Sequence, residues 1–449
     1  CKLLKPYFKG FNLILGGYSM NIQEYVNKQY GGKPDWFVDE VDSYYHKNRI
    51  NEILNVKEYL AGKHKILNRQ VEEWQGKKYF PRIIILNYAK TILNFSTSYL
   101  LSNPITITGN EDAVSKLKRI YKNGKYNRVD FDILDKLQKF GNVFEYPYLD
   151  NGVIKSKIID PADGYAVYSE DDNSYIAFIE HYTINGISYY IVFYHDAVEK
   201  YSDEGGSIHL INRWSNISGL PIHYHNLNEL DSNFGVSDLD DWVNIIDNME
   251  DLLSKFSDTV YKHHTPLAVS VGSNLTSGGV NSNLIGQGLN LELDSDFKFE
   301  SPDLNENAVK MLYDTLRQAL LDISNVPAVS LNSQDVSNLS EVSIKLLFSL
   351  SELRAGLNSK YMREGIEKRF EVFRRILELQ GEYINDEDME SVSIVFTTAR
   401  PMNEKDIIDN LKTLRDIGGI SVESMIEQNP LVNDKVVEME RLKEDINIE

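Results

Sequence analysis

The sequence predicts an α+β chain in which two helices flank a small strand-bearing insertion and a very long helix follows. Three observations predict it. Apolar residues recur at helical spacing through Trp242, Ile245, Ile246, Met249, Leu252, Leu253, Phe256 and Val260. Three runs with the alternation of half-buried strands, divided by turn residues, occupy 164–194. From Ser340 onward Leu346, Leu347, Leu350, Leu353, Leu357, Tyr361, Ile366, Phe370, Phe373 and Leu377 mark an apolar stripe on one long helix, taken as buried, with basic faces beside it.

Composition sets the first limits. With 449 residues and 42% hydrophobic content the chain is long enough for two or three domains. Its formal charge of −20 repels phosphate, which argues against tight sequence-specific DNA binding and suits a surface that DNA slides past. Cys1 is the single cysteine, so no disulfide framework and no cysteine metal site are expected. No apolar run approaches the roughly 20 residues that span a bilayer.

Taken in order, residues 1–19 read as an upstream or disordered extension. Lys2, Lys5 and Lys9 precede an apolar core too short for a signal peptide, and Met20 is the expected start. Residues 20–80 are polar and helical in pattern, with a basic turn from Gly62 to Arg69 read as a solvated face. Pro81 to Leu101 reads as one apolar helix opened by a proline at its permitted position and stopped at Ser102-Asn103-Pro104; Ile105 and Ile107 then alternate with threonines as a short strand. The strands 164–168, 175–182 and 187–194 form an antiparallel meander whose second turn, Asn185-Gly186, is a two-residue hairpin signal.

The first long helix is expected over 236–262, capped by Ser237 and Asp238 and stopped before Pro266. Leu289, Leu291 and Leu293 alternate with polar residues as a strand in the insertion. A second helix runs to Asn325-Val326-Pro327, and the stretch Ser337 to Glu341 supplies the cap for the long helix. A strand near Val392 to Phe396, a helix opened by Asn403, a short helix capped by Ser421 and a last one from Asp434 complete the chain.

Candidate chemistry is sparse. Asp238, Asp240 and Asp241 have the residue types of a magnesium cluster, but acids at a helix N-terminus also complement its dipole. His223 and His225 share a strand face and His263-His264 sits at a helix end, each pair lacking the third ligand that zinc requires. Glycines from Gly272 to Gly288 have no Gly-Lys-Ser/Thr signature for phosphate. Neither a cofactor nor a catalytic residue is assigned.

Several pieces resemble the portal proteins of tailed bacteriophages, most closely those of long-tailed phages of Gram-positive hosts. These are Asn87-Tyr88-Ala89-Lys90; Tyr99-Leu100-Leu101-Ser102-Asn103-Pro104-Ile105-Thr106; Phe140-Gly141-Asn142-Val143-Phe144-Glu145-Tyr146; Ile159-Asp160-Pro161-Ala162-Asp163; Gly219-Leu220-Pro221-Ile222; and Asp322-Ile323-Ser324-Asn325-Val326-Pro327. They keep the family's order from about Glu40 to the end.

The resemblance implies the portal fold, assembled as a ring: N-terminal arm and α/β wing (20–235), first stem helix (236–262), small β-containing clip (263–305), second stem helix (306–324), tunnel loop (325–340), long wing helix and wing strand (341–399) and helical crown (400–449). It implies a dodecameric ring at one capsid vertex, through which double-stranded DNA passes without sequence specificity. The implied partners are the terminase, a head-tail adaptor, and the major capsid and scaffold proteins, with no membrane; assembly takes place in the host cytoplasm. Val329, Leu331, Asn332, Gln334 and Asp335 would belong to the loop at the channel; Asp240, Asp247, Glu250, Asp251 and Asp258 are acidic candidates for its wall; Asn274, Thr276, Asn281 and Asn283 are candidates for partner contact at the clip.

Two other readings use the same residues. A metal-dependent nuclease or phosphotransfer enzyme would work through Asp238, Asp240 and Asp241, and another ring-forming virion protein would share the helices without needing the 39-residue span 341–379.

Overall fold

The computed structural model describes residues 22–74, 77–263, 267–271, 296–300, 306–327, 340–432, 438–439 and 441–442. Residues 1–19, the strand expected at 289–293, most of the loop 325–340 and the start of the helix expected at Asp434 lie outside them. The chain folds as two bodies. The first comprises Cys1–Lys57, Leu93–Asp238 and Glu352–Arg400; the second comprises Glu58–Ile92, Leu239–Ser351 and Pro401–Glu449.

The first body is built on antiparallel sheet. Five strands lie in the order His209–Ser215, Ala197–Ser202, Ile187–Phe193, Tyr175–Ile184, Gly164–Tyr168, so the expected meander is present and extends by two strands. Asn185 and Gly186 have φ of 52° and 79°, the left-handed pair that a two-residue hairpin of matching twist requires. A three-stranded sheet joins Ile222–His225, Asn142–Asp150 and Val153–Ile159. Phe144 and Ile159 from this sheet meet Ala166, Phe178, Phe193 and Val198 from the larger one, and Phe234 closes the cluster. Helices Ile22–Tyr30 and Trp36–Val41 cover the other face through Tyr25, Val26, Trp36, Phe37 and Val41. The short strand Thr106–Thr108 pairs with Ser393–Val395, joining residues far apart in sequence.

Helices Glu111–Gly124 and Tyr126–Phe140 follow, the first capped by the Asn110 side chain, which accepts from the Asp112 and Ala113 N–H groups. The helix Ser349–Leu379 contributes Ile366, Phe370, Phe373 and Leu377, all buried. It passes so near the small sheet that a Cβ on Gly365 would lie 1.9 Å from the Tyr224 ring. No other residue fits there.

A charged network sits inside this core. Arg369, fully buried, donates through Nε to Glu145 at 2.9 Å and through Nη1 to Asp130 at 2.5 Å and to the Tyr121 hydroxyl at 2.9 Å. Glu145 also accepts from the Tyr224 hydroxyl at 2.6 Å and the Ser156 hydroxyl at 2.5 Å. Burial pushes Asp130 up to about 6, in spite of the arginine.

Among its described residues the second body is mostly helical. Helices Val243–His263 and Glu306–Ser324 pack together, and beyond them Leu267–Val271 pairs antiparallel with Asp296–Glu300, Leu267 opposite Glu300. Trp242, Ile246, Met249, Leu320 and Leu321 form its buried apolar residues at these helices. Two helix starts clasp each other: the Glu341 N–H donates to Asp406 and the Asn403 N–H to Glu341. Helices Glu404–Asp416 and Val422–Gln428 open on Asn403 and Ser421, whose side chains accept from Asp406 and Ser424 N–H as their sequence positions imply.

Three expectations need correction. The helix expected from Pro81 begins only at Tyr88, because the N–H groups of the preceding residues are bonded to side chains elsewhere. The helix 236–262 starts at Val243 after a 3-10 turn, Asp238–Asp241. The long helix is two, Glu341–Leu347 and Ser349–Leu379, and its stripe is not buried throughout: Leu346, Leu350, Leu353 and Leu357 are exposed.

Candidate functional site

The second body organises its acids along one helix. Glu250, Ser254 and Asp258 stand four residues apart on Val243–His263, hence one above another on a single face. Against them runs the non-helical segment 80–86: the Arg82 N–H donates to Asp258 Oδ1 at 2.7 Å, the Ile84 N–H to Ser254 Oγ at 3.0 Å, and the Leu86 N–H to Glu250 Oε1 at 2.7 Å. Two residues of extended chain advance about 6.6 Å and four residues of helix about 6 Å, so the two periods match for several rungs. The helix side chains replace a neighbouring strand. Pro81, with no N–H to offer, interrupts nothing.

More groups close around the same three residues. The Tyr79 hydroxyl donates to Asp258 at 2.8 Å, Arg69 pairs with it at 3.0 Å, and the Arg82 guanidinium lies 3.3 Å from the Tyr261 ring centroid. His64 stacks on Tyr59 at 3.9 Å and its Nδ1 lies 2.6 Å from Glu250. Asp247 accepts from the Tyr59 hydroxyl at 3.3 Å and pairs with Lys65 at 2.9 Å. Burial pushes the Glu250 carboxyl up against the pull of the Leu86 N–H and His64. Burial acts the same way on Asp258, but the Arg82 N–H, Tyr79 and Arg69 outweigh it and hold that group below the usual carboxylate range.

This geometry divides the five acids marked as wall candidates. Glu250 and Asp258 are buried by segment 58–92 of their own chain, which removes both from an exposed channel wall; a single sequence shows the helix but not the strap that covers it. Asp247 is mostly covered, its side chain 14% exposed. Asp240 lies exposed on the 3-10 turn, and Asp251 pairs with Lys255 four residues on at 2.7 Å with both side chains in solvent. Val329, Leu331, Asn332, Gln334 and Asp335, and Asn274, Thr276, Asn281 and Asn283, lie outside the described residues.

The metal-cluster candidates are not brought together. Asp238 pairs with Arg354 and also accepts from the Asn226 amide at 3.4 Å, while Asp241 is exposed. His223 and His225 do share a strand face, their rings 5.1 Å apart, but His223 is buried between the Tyr168 hydroxyl at 2.7 Å and the Asn142 side-chain oxygen Oδ1 at 3.1 Å. Burial lowers its basicity well below the ordinary value. Among the described residues no group of three or more His, Cys, Asp or Glu has metal-holding geometry. No helix among them is long and apolar enough to cross a membrane.

Comparison with known proteins gives three findings. The family model described as phage portal protein, SPP1 Gp6-like, matches residues 39–449. The portal protein of Bacillus phage SPP1 is 20% identical over 408 residues, covering 80% of this chain and 75% of that one. Among solved structures, a chain in the virion of a native gene transfer agent particle is 10% identical with a TM-score of 0.44, covering 75% of this chain and 87% of that one. A chain in the neck of the empty particle is 9% identical with a TM-score of 0.46, covering 74% and 86%.

Proposed function

We propose, for a chain that belongs to the SPP1 Gp6-like family of phage portal proteins, that copies of it close into a ring whose central channel passes DNA at the portal vertex. The family is structural, and its members form the conduit for DNA at the portal vertex of the virion. The observation that carries this is the span of the match, which runs through both bodies. The Bacillus phage relative supports a Gram-positive host.

In this reading twelve copies close the ring. Double-stranded DNA passes without sequence recognition, the terminase and then a head-tail adaptor dock at the insertion, and capsid and scaffold proteins meet the outside. The ladder Leu267–Val271 with Asp296–Glu300 is the base of that insertion, and Asn274, Thr276, Asn281 and Asn283 are its partner-contact residues. Val329, Leu331, Asn332, Gln334 and Asp335 belong to the collar. Asp240 and Asp251, with the partly covered Asp247, are the acids left to give the wall a negative potential. Repeated around a ring, even one exposed carboxylate per copy makes a circle that discourages phosphate adhesion. ATP hydrolysis falls to the docked motor and not to this chain.

Negative-stain microscopy of the purified protein is the test. Rings with a central hole are expected; particles of single-chain size, or closed discs, would overturn the reading. Val329→Asp with Leu331→Asp then sharpens it: rings remain and packaged genome falls, whereas a normal genome yield would take that loop away from the channel.

A further inference from the structure

The five-stranded sheet of the first body closes one of its two edges and leaves the other open. At Gly164–Tyr168 the buried Arg49 guanidinium donates to the Gly164 carbonyl at 2.7 Å and to the Pro161 carbonyl at 3.0 Å. The opposite edge is His209–Ser215, exposed at all seven residues, and among the described residues no strand pairs with its outer side. Just past it the Asn216 N–H donates inward to the Asp196 carbonyl at 2.8 Å. Antiparallel residues bond to one neighbour alternately, so Trp214 also bonds inward, to Val198, while Arg213 and Ser215 turn their N–H and C=O groups away from the sheet. The outward Arg213 N–H is held only by the side chain beside it, Asn212 Oδ1, at 2.9 Å. The Ser215 N–H has no partner among the described residues.

A cavity of about 470 Å³ adjoins that edge, lined by Trp214 from the strand itself, by Phe193 two strands further in, and by Tyr146, Tyr148 and Ile217. Phe193 and Glu180 are buried in it, whereas Tyr148, Leu149, Trp214 and Ile217 are 37%, 41%, 39% and 46% exposed and therefore form its mouth. Its inner polar side chains are already paired. Lys157 donates to both Glu180 oxygens, at 2.6 and 2.7 Å, the Tyr146 hydroxyl to Asn216 Oδ1 at 3.1 Å, and the Ser218 hydroxyl to the Pro147 carbonyl. An occupant that brought a charge would find no free counter-charge here, so the cavity selects an apolar group.

We infer that the Asn212–Ser215 end of this strand is a docking edge for an extended segment of a partner protein, which adds as a sixth strand and sets one large apolar side chain in the cavity. The open backbone row specifies the form of the occupant, because a helix spends its N–H and C=O groups on itself and only a strand can offer them sideways. The cavity specifies the side chain. Residues directly opposite one another share a face, so the partner residue opposite Trp214 points to Trp214's side and enters the mouth. Main-chain bonds to Arg213 and Ser215 then supply affinity and the cavity supplies selection. The register shift between Leu210 and Asn212 bends the strand and keeps the added segment short. Nothing in this requires copies of the chain to form a ring.

The test uses the full chain and a fluorescein-labelled peptide of alternating threonine and valine with phenylalanine at its centre and lysines at its ends, read by fluorescence anisotropy. Saturable binding is expected, weakened about tenfold or more when aspartate replaces the central phenylalanine. Ser215→Pro should weaken it about tenfold, since it removes an outward N–H, leaves the inner ladder alone and sits where an edge strand tolerates proline. Asn212→Ala should tighten it, because the Arg213 N–H then needs no displacement of a side chain. Absence of saturable binding, equal binding of the phenylalanine and aspartate peptides, or unchanged binding by a Ser215→Pro chain that melts normally would each overturn the inference. Should Ser215→Pro melt early, N-methylation of the two peptide residues flanking the phenylalanine takes its place: these lie opposite Arg213 and Ser215, and binding that survives their methylation would overturn the docking edge. A fall in particle mass of the Ser215→Pro chain alone, by mass photometry, would show instead that the added strand comes from a second copy, and would overturn the assignment to a partner protein.

Discussion

The two bodies hold charge in opposite ways. In the first, Arg369 is sealed in a core of aromatic rings and donates to both Asp130 and Glu145, one Asp130 oxygen staying without a hydrogen-bond partner, and Ile366, Phe370 and Phe373 are buried around them. In the second, Glu250 and Asp258 bind backbone N–H groups of an irregular strap, and large apolar residues such as Met311, Leu346 and Leu350 stay in solvent. The first body closes a charged core within one chain, and the second is joined by polar rungs; both leave large apolar side chains in solvent, Leu230 and Leu353 in the first, Met311 and Leu346 in the second.

The comparison breaks most sharply at Arg369. Arg369→Met keeps much of the volume but leaves two buried carboxylates unpaired, and losing one partner of a buried ion pair costs about 3–5 kcal/mol. Denaturant unfolding followed by tyrosine fluorescence should show a loss of that size, large against the whole stability of a domain. A change under about 1 kcal/mol would mean that the network adds little to the first body.

Asp130 gives the next largest effect, and it is tied to pH. Its folded value of about 6 lies above the unperturbed 3.8, so the folded chain holds this proton more tightly than the unfolded chain. The contribution is therefore fully present below about pH 4 and is lost as pH rises through about 6, a change of about 3 kcal/mol. Measured against Asp130→Asn, the unsubstituted protein should lose that stability between those pH values. A difference flat with pH would contradict the assignment.

Asp258→Ala ranks third. It strips the Arg82 N–H, the Tyr79 hydroxyl and Arg69 of a shared acceptor, worth about 1–3 kcal/mol. Its signature is local: amide exchange should quicken at Arg82 and its neighbours with little change in the Arg369 core. The smallest effect belongs to Lys255→Ala, since its partner Asp251 is an exposed neighbour one helical turn away. Loss of that pair should cost no more than about 0.5 kcal/mol, and less in high salt.

The same contrast explains what could be read from residues alone. Strands 164–194 were legible because period-two alternation and Asn185-Gly186 are local signals, and the caps at Asn403 and Ser421 are as local. The strap was not legible: Ile83-Ile84-Ile85 is apolar enough for helix or strand, and the acceptors that decide the matter lie more than 160 residues away, at Glu250 and Ser254. For the same reason Glu250 and Asp258 read as surface acids. The leucine row was legible as a row, but periodicity alone does not say whether a face is covered. Of the candidate site, Glu250 and Asp258 were read as exposed acids, and their burial under residues distant in sequence was missed.

Hydrogen exchange compared between assembled rings and the dissociated chain tests most directly whether the charged core closes within one chain. Peptides holding Tyr121, Asp130, Glu145 and Arg369 should exchange at the same slow rate in both. A gain of protection in the Arg369 core on assembly would contradict it.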